Sequence, residues 1–428
     1  MIKRVKYIVR RLIPQRLHPY LYRTYSWLAL YFTMRNFIKS EMNKLRSSDD
    51  VKLLLSQPTI QIIQPTFYDF DGSVYLSGGA ERYLCDLAKI IIELGYKPFI
   101  VQQGNKFWHK KHLDLVDVFG VPAVDIFGIP LDGFVQLNKL AHDDSFGKPK
   151  LRIYSNFIVA YPHTEPNAIG IGHGMFWSSH PKLYSILPIE KAFKNLNTFV
   201  AVDKATISWF RGIMPEEMLS GKKLVRYIPN YVDLKKFFPS SSAGEPKVIK
   251  ILHPRRLYDV CGYFLIEKII PYILNKYSYV EFHFVGQADL RATEAVTKII
   301  NTFPDKVFWH FEDAENMHEI YKHSDITLIP TTINEGTSLS CLEAMATGNA
   351  IIASNVGGLS DLLIDNYNGL LINPPNTLEL QEAVERLIND KNLRQRLGNN
   401  AVQVAQSFDK KSWKKKWINI INQSIEKT

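Results

Sequence analysis

Asp325-Ile-Thr-Leu-Ile-Pro-Thr-Thr-Ile-Asn-Glu335-Gly336-Thr337-Ser338-Leu339-Ser-Cys-Leu-Glu343-Ala-Met-Ala-Thr-Gly348 reads as a strand, a loop and a helix closed by glycine. Gly336 lets the backbone come close to a ligand, Thr337 and Ser338 add hydroxyl donors, and the free amides of the first helical turn favour an anion. A diphosphate fits that field. Glu335 stands in the loop, whereas Glu343 lies about a turn into the helix among Leu339, Leu342 and Ala346, where a carboxylate needs partners. Sugar or ribose hydroxyls would supply them. The same spacing fits equally a plain helix cap with Glu343 paired to a neighbouring arginine.

Working outward, short β-branched or apolar runs recur upstream at Thr59 to Ile63, Pro98 to Gln102, Leu151 to Tyr154, Ala168 to Gly172 and Thr198 to Val202. A second series covers Val248 to Leu252, Tyr279 to Val285, Lys306 to Trp309, Asp325 to Pro330, Ala350 to Ala353 and Leu370 to Ile372. Helical stretches separate the runs, so both series predict parallel α/β sheets. Between them, Asp233 to Pro246 turns to small and turn-forming residues with two prolines, which marks a boundary. The expected architecture is α/β: two Rossmann-like domains with parallel sheets facing a central cleft, plus a basic helical N-terminal extension. The expected divisions are 1–50 for the extension, 51–235 and 247–408 for the domains, 236–246 for the linker and 409–428 for a closing helix. Ligands of such sheets sit beyond the carboxyl ends of the strands.

A chain of 428 residues suits two domains, and 46% hydrophobic with 22% charged residues excludes a disordered chain. Cys85, Cys261 and Cys341 are odd in number and in no metal-type spacing, which argues against disulfides or zinc and for a reducing cytosol. The net charge of +10 is concentrated in residues 1–50, where 11 Lys or Arg face 3 acids, or +8. Ile2, Val5, Ile8, Val9, Leu12 and Ile13 form one helical face and Lys3, Arg4, Lys6, Arg10 and Arg11 another, ended by Pro14. The uncharged stretch from Thr24 to Met34 is too short to span a bilayer. Residues 1–50 therefore suit an anionic membrane surface, or a basic hairpin packed on protein. Nothing beyond residue 50 continues a basic, aromatic groove, so nucleic acid is not an expected partner.

Three further clusters fall after strands. Gly78-Gly79 opens a helix from Glu81 to Leu94, a glycine-rich helix entry that a tight turn explains equally. His173 follows an apolar strand between Gly172 and Gly174; alone it reads as a core histidine. His253-Pro254-Arg255-Arg256-Leu257 brings guanidinium groups to the mouth of the second domain, where they can clamp a diphosphate or form a surface ion pair.

The glutamates eight positions apart around Gly-Thr-Ser-Leu, followed by Ile351-Ile-Ala-Ser-Asn-Val-Gly357-Gly358 and Asn368-Gly369-Leu370-Leu371, resemble glycosyltransferase family 4. The similarity runs from about Thr59 to the C-terminus. It takes in Gly78-Gly79-Ala80-Glu81-Arg82, His173-Gly174 and Ile228-Pro229-Asn230-Tyr231-Val232-Asp233. It implies a GT-B fold and retaining transfer of a sugar from a UDP- or GDP-linked donor, the nucleotide sugar being a substrate, with no cofactor and no metal. By the same resemblance Glu335 contacts donor sugar hydroxyls, Glu343 the ribose, and the amides of Thr337, Ser338 and Leu339 the diphosphate or sugar. Gly78 and Gly79 border the donor phosphates, His173 stabilises charge near the reacting centre, and Arg256 assists the leaving diphosphate. The family's lysine five positions after that arginine is replaced by Cys261, so Arg255 is expected to supply the missing cation. The basic N-terminus implies a glycan or lipid-linked acceptor at the inner face of the cytoplasmic membrane, as in bacterial surface polysaccharide or lipopolysaccharide assembly. A catalytically silent GT-B scaffold and a nucleotide-sugar epimerase are the alternatives.

Overall fold

The computed structural model describes residues 35–123, 130–175, 177, 186–240 and 248–426. The amphipathic residues 2–13, the aromatic stretch 24–34 and linker residues 241–246 lie outside that set. Residues 35–47 are helical, and Met42 and Leu45 are buried with Val51 and Leu54 in the first domain's core. This part of the basic segment is therefore joined to the domain body by apolar packing.

Eight strands build the first sheet: β1 (Thr59–Ile63), β2 (Lys97–Gly104), β3 (Trp108–His112), β4 (Val116–Pro122), β5 (Leu151–Tyr154), β6 (Ile169–Gly172), β7 (Thr198–Ala201) and β8 (Leu224–Tyr227). Their spatial order is β3-β4-β2-β1-β5-β6-β7-β8. One pair departs from the parallel pattern, for β3 runs antiparallel to β4 and makes this sheet mixed. The cause is a short connection: few residues separate His112 from Val116, and a link that short can only reverse the chain.

The second sheet is wholly parallel and contains β9 (Ile249–His253), β10 (Val280–Val285), β11 (Val307–His310), β12 (Ile326–Ile329), β13 (Ala350–Ser354) and β14 (Leu370–Ile372), in the order β11-β10-β9-β12-β13-β14. The winding reverses between β9 and β12. The crevice beyond their carboxyl ends is where sheets of this kind take ligands.

Both sheets carry apolar cores on their two faces. Helix α1 (Gly79–Glu93) buries Tyr83, Leu84, Leu87, Ala88 and Ile91, a spacing that sets one face of a 3.6-residue helix on the sheet. Each large side chain so buried contributes about 1.5–3 kcal/mol. The final helix, α3 (Lys410–Ile425; α2 is Leu339–Ala346, below), returns to the first domain. Trp413, Trp417, Ile420 and Ile421 join its core, and Trp417 Nε1 donates to Tyr83 Oη at 2.7 Å. The chain thus crosses between domains twice, and the crossings lie side by side. Val232 N donates to Phe408 O at 2.9 Å, and Lys410 N to Val232 O at 3.0 Å. Among the described residues no helix is long and apolar enough to cross a membrane.

Candidate active site in the interdomain cleft

The carboxyl ends of β9 and β12 set the second domain's side of the cleft. Arg255 and Arg256 follow β9, and the loop from Pro330 to Ser338 follows β12 into α2. The first domain contributes Gly78 and Gly79 at the start of α1, His173 after β6, and Val202 after β7. Together they enclose a cavity of about 470 Å³. Its walls include Cys261 and every residue expected in the donor site or at the reacting centre: Gly78, Gly79, His173, Arg255, Arg256, Glu335, Gly336, Thr337, Ser338, Leu339 and Glu343.

Close packing leaves the loop after β12 no room for added side chains. A Cβ on Gly336 would overlap Val202 Cγ2 of the opposite domain, and one on Gly358 would overlap the backbone of Gly336 and Thr337. Gly358 N donates to Glu335 O at 2.8 Å, which ties the β13 loop beneath the glutamate. The sequence reading gave Thr337 and Ser338 free hydroxyls; the structure uses both internally. Thr337 Oγ1 donates to Val202 O at 2.9 Å and accepts from Asn230 N at 2.7 Å, while Asn230 Nδ2 donates to Thr337 O. Ser338 caps α2, its Oγ accepting from Cys341 N at 3.4 Å and sharing a hydrogen with Ser340 Oγ at 3.0 Å. What this loop offers a ligand is therefore the backbone amides at the start of α2 and the positive end of its dipole.

Two arginine–glutamate pairs dominate the electrostatics. Arg255 Nη2 donates to Glu335 Oε2 at 2.7 Å. Arg255 Nη1 and Glu335 Oε1 are buried without hydrogen-bond partners among the described residues. Burial acts most strongly, to lower the guanidinium's pKa, but Glu335 and other neighbouring groups together outweigh it and the net shift is upward. The second pair crosses the cleft: Arg82 Nη2, from α1, donates to Glu343 Oε1, from α2, at 2.5 Å. Of the two sequence readings of Glu343, the pairing with an arginine is present, and the arginine comes from the other domain. Arg256 reaches the opposite way, its Nη2 donating to Ser77 O at 3.0 Å.

His173 packs edge-on against Tyr83, with ring centroids 5.0 Å apart, and its buried Nε2 has no hydrogen-bond partner among the described residues. Burial lowers its pKa to about 4, so the imidazole is neutral near pH 7. Burial raises the Cys261 thiol, against the pull of nearby Arg255, so the residue in the lysine's place stays a neutral thiol. Among the wall residues that the sequence reading missed as members of the site are Arg82, Glu81 and Phe311. Arg82 and Glu81 stood in a quoted motif, and Glu81, buried at the head of α1, has its pKa raised to about 7 by desolvation. Phe311, 55% exposed in the loop after β11, had no periodic or motif signal.

Residues 235–404 match the family model described as glycosyl transferases group 1. An uncharacterized glycosyltransferase of Methanocaldococcus jannaschii is 27% identical over 180 residues, 41% of this chain and 45% of that protein. The N,N'-diacetylbacillosaminyl-diphospho-undecaprenol alpha-1,3-N-acetylgalactosaminyltransferase of Campylobacter jejuni is 24% identical over 243 residues, 55% of this chain and 62% of that protein. The chain thus spans less than two thirds of these curated relatives. Sucrose-phosphate synthase from Thermosynechococcus elongatus superposes with a TM-score of 0.69 at 18% identity, covering 87% of this chain and all of the other. The architecture is the GT-B fold.

Proposed function

We propose that the chain transfers a sugar from a nucleoside-diphosphate sugar, UDP- or GDP-linked, to a hydroxyl of a glycan or lipid-linked acceptor. The observation that carries this reading is the convergence, in one cleft between the two sheets, of Arg255 and Arg256 with the amide end of α2 and the carboxylates of Glu335 and Glu343. Two guanidinium groups and a helix N-terminus provide the field that a departing diphosphate requires. The carboxylates accept from sugar and ribose hydroxyls. The match of residues 235–404 to group 1 glycosyl transferases supports the same assignment.

In this scheme the glycosidic carbon–oxygen bond to the diphosphate breaks as the acceptor hydroxyl oxygen bonds to the anomeric carbon, and the hydroxyl proton passes to an oxygen of the departing diphosphate. The electron pair leaves with the diphosphate, stabilised by Arg256 and the α2 amides. Arg255 lies beside Cys261 and takes the part of the missing lysine. Neutral His173 faces the transferred sugar through an Nε2 that has no hydrogen-bond partner among the described residues. Retention of anomeric configuration follows from the family 4 resemblance and is read from the product anomer by NMR. Turnover of UDP- and GDP-sugars, followed by product analysis, tests the assignment. Arg255→Ala, Arg256→Ala and Glu335→Ala should each lower transfer about 100-fold or more. Unchanged transfer in all three folded variants overturns the site. Turnover without acceptor to an epimerised donor supports an epimerase instead, and no turnover at all supports the silent scaffold that Cys261 alone favours.

The acceptor reading rests on the excess of +8 in residues 1–50. Attachment to an anionic membrane surface, on the cytoplasmic face, would bring a lipid-linked acceptor to the first domain. Because Met42 and Leu45 are core residues, the deletion that tests attachment ends at residue 34. It should release the protein from anionic liposomes and leave nucleotide binding intact; undiminished co-sedimentation counts against attachment.

A further inference from the structure

We infer that Arg82 is a positioning residue that couples closure of the two domains to capture of the donor's ribose, by holding the Glu343 carboxylate from across the cleft. The inference rests on the reading of Glu343 as the ribose contact. The two residues are 261 positions apart in sequence and stand on helices of opposite domains, α1 and α2. The Glu343 side chain is only 4% exposed, and its helical neighbours Leu339, Leu342 and Ala346 are buried apolar residues. A carboxylate in such a place requires a cation, and Arg82 is its ion-pair partner among the described residues. Glu343 is the first cause of the upward shift of the Arg82 guanidinium, against the opposing effect of burial.

The geometry gives the pair a second role. A guanidinium bonded to Oε1 restrains the carboxylate's rotation, so less ordering remains to be done when a ribose diol binds. Because the cation belongs to the first domain, opening the cleft separates it from Glu343. Nucleotide binding and closure then favour one another, as linkage requires of two events that share one contact. Arg256, which reaches from the second domain to Ser77 O, makes the reciprocal crossing and leaves the two domains laced by one arginine in each direction.

Calorimetric titration of UDP and of GDP into the full chain, comparing wild type with Arg82→Ala, Arg82→Lys, Glu343→Gln and the double variant Arg82→Ala/Glu343→Gln, tests this. Arg82→Ala should weaken the nucleotide that binds wild type about tenfold or more. Arg82→Lys should recover part of the loss. The double variant should bind no more weakly than Glu343→Gln alone. Small-angle scattering should show that saturating nucleotide compacts the wild type more than Arg82→Ala. Wild-type affinity in Arg82→Ala, or additive losses in the double variant, overturns the coupling while leaving the Glu343 reading intact. Wild-type affinity in Glu343→Gln sinks the ribose reading, and the coupling with it. Should Arg82→Ala not fold, Arg82→Gln takes its place in the same comparison.

Discussion

At the scale of single residues, Glu81 makes the clearest case of environment setting chemistry. Its carboxyl, ordinarily near 4.5, is raised to about 7 by burial at the head of α1, against the opposing pull of Arg256. Between these values the folded state binds more protons than the unfolded state, so this group's contribution to stability is full below about pH 4.5 and is lost as pH rises towards 7. Glu81→Gln should therefore gain stability relative to wild type progressively through that window and hold a constant difference above it. Chemical denaturation at several pH values reads this directly, and a difference independent of pH would mean an ordinary carboxyl. Glu335, Glu343, Gly336 and the two arginines were legible in the sequence because each sits at a fixed offset from a strand end or a helix start. Arg82 was legible only as a motif letter, since its partner lies in the other domain and no local pattern encodes a contact 261 positions away. Thr337 was misread in its hydroxyl for the same reason: Val202 and Asn230, which occupy it, arrive from elsewhere in the chain.

Among the elements, the loop between β12 and α2 carries close contacts with the first domain. Gly336 faces Val202 of the other domain so closely that a methyl group cannot be placed between them. Gly336→Ala should lower transfer about tenfold or more, because the clash lies between domains, against the core residue Val202. Adding Val202→Ala removes the opposing Cγ2 and should restore part of the activity; a double variant as impaired as the single one would place the fault inside the loop instead. The strands that set this loop were readable from β-branched runs such as Ile326 to Ile329. β3 was not, because Trp-His-Lys-Lys-His carries little apolar signal and its pattern is that of an edge. β8 is short and only half-buried, for which a weak alternation is the expected signature. The spacing of Trp413, Trp417, Ile420 and Ile421 announced a packed helix, but that it packs on Tyr83 of the first domain follows from tertiary fit alone.

For the whole molecule, two doubly wound sheets meet with their strand ends facing one cavity, joined by two crossings that lie hydrogen-bonded side by side. The division into two α/β units was legible from the two series of strands, whereas the interdomain contacts Arg82–Glu343, Arg256–Ser77 and Thr337–Val202 exist only in the folded chain. The assignment of a nucleotide-sugar donor to this cleft is tested most directly by calorimetry with UDP, GDP and their sugars against the full chain and its Glu335→Ala variant. One nucleotide and a sugar that it carries should bind saturably at a single site, the sugar nucleotide losing about tenfold or more in affinity in Glu335→Ala. Absence of binding by every member of the panel, or equal affinity in the two proteins, would contradict it.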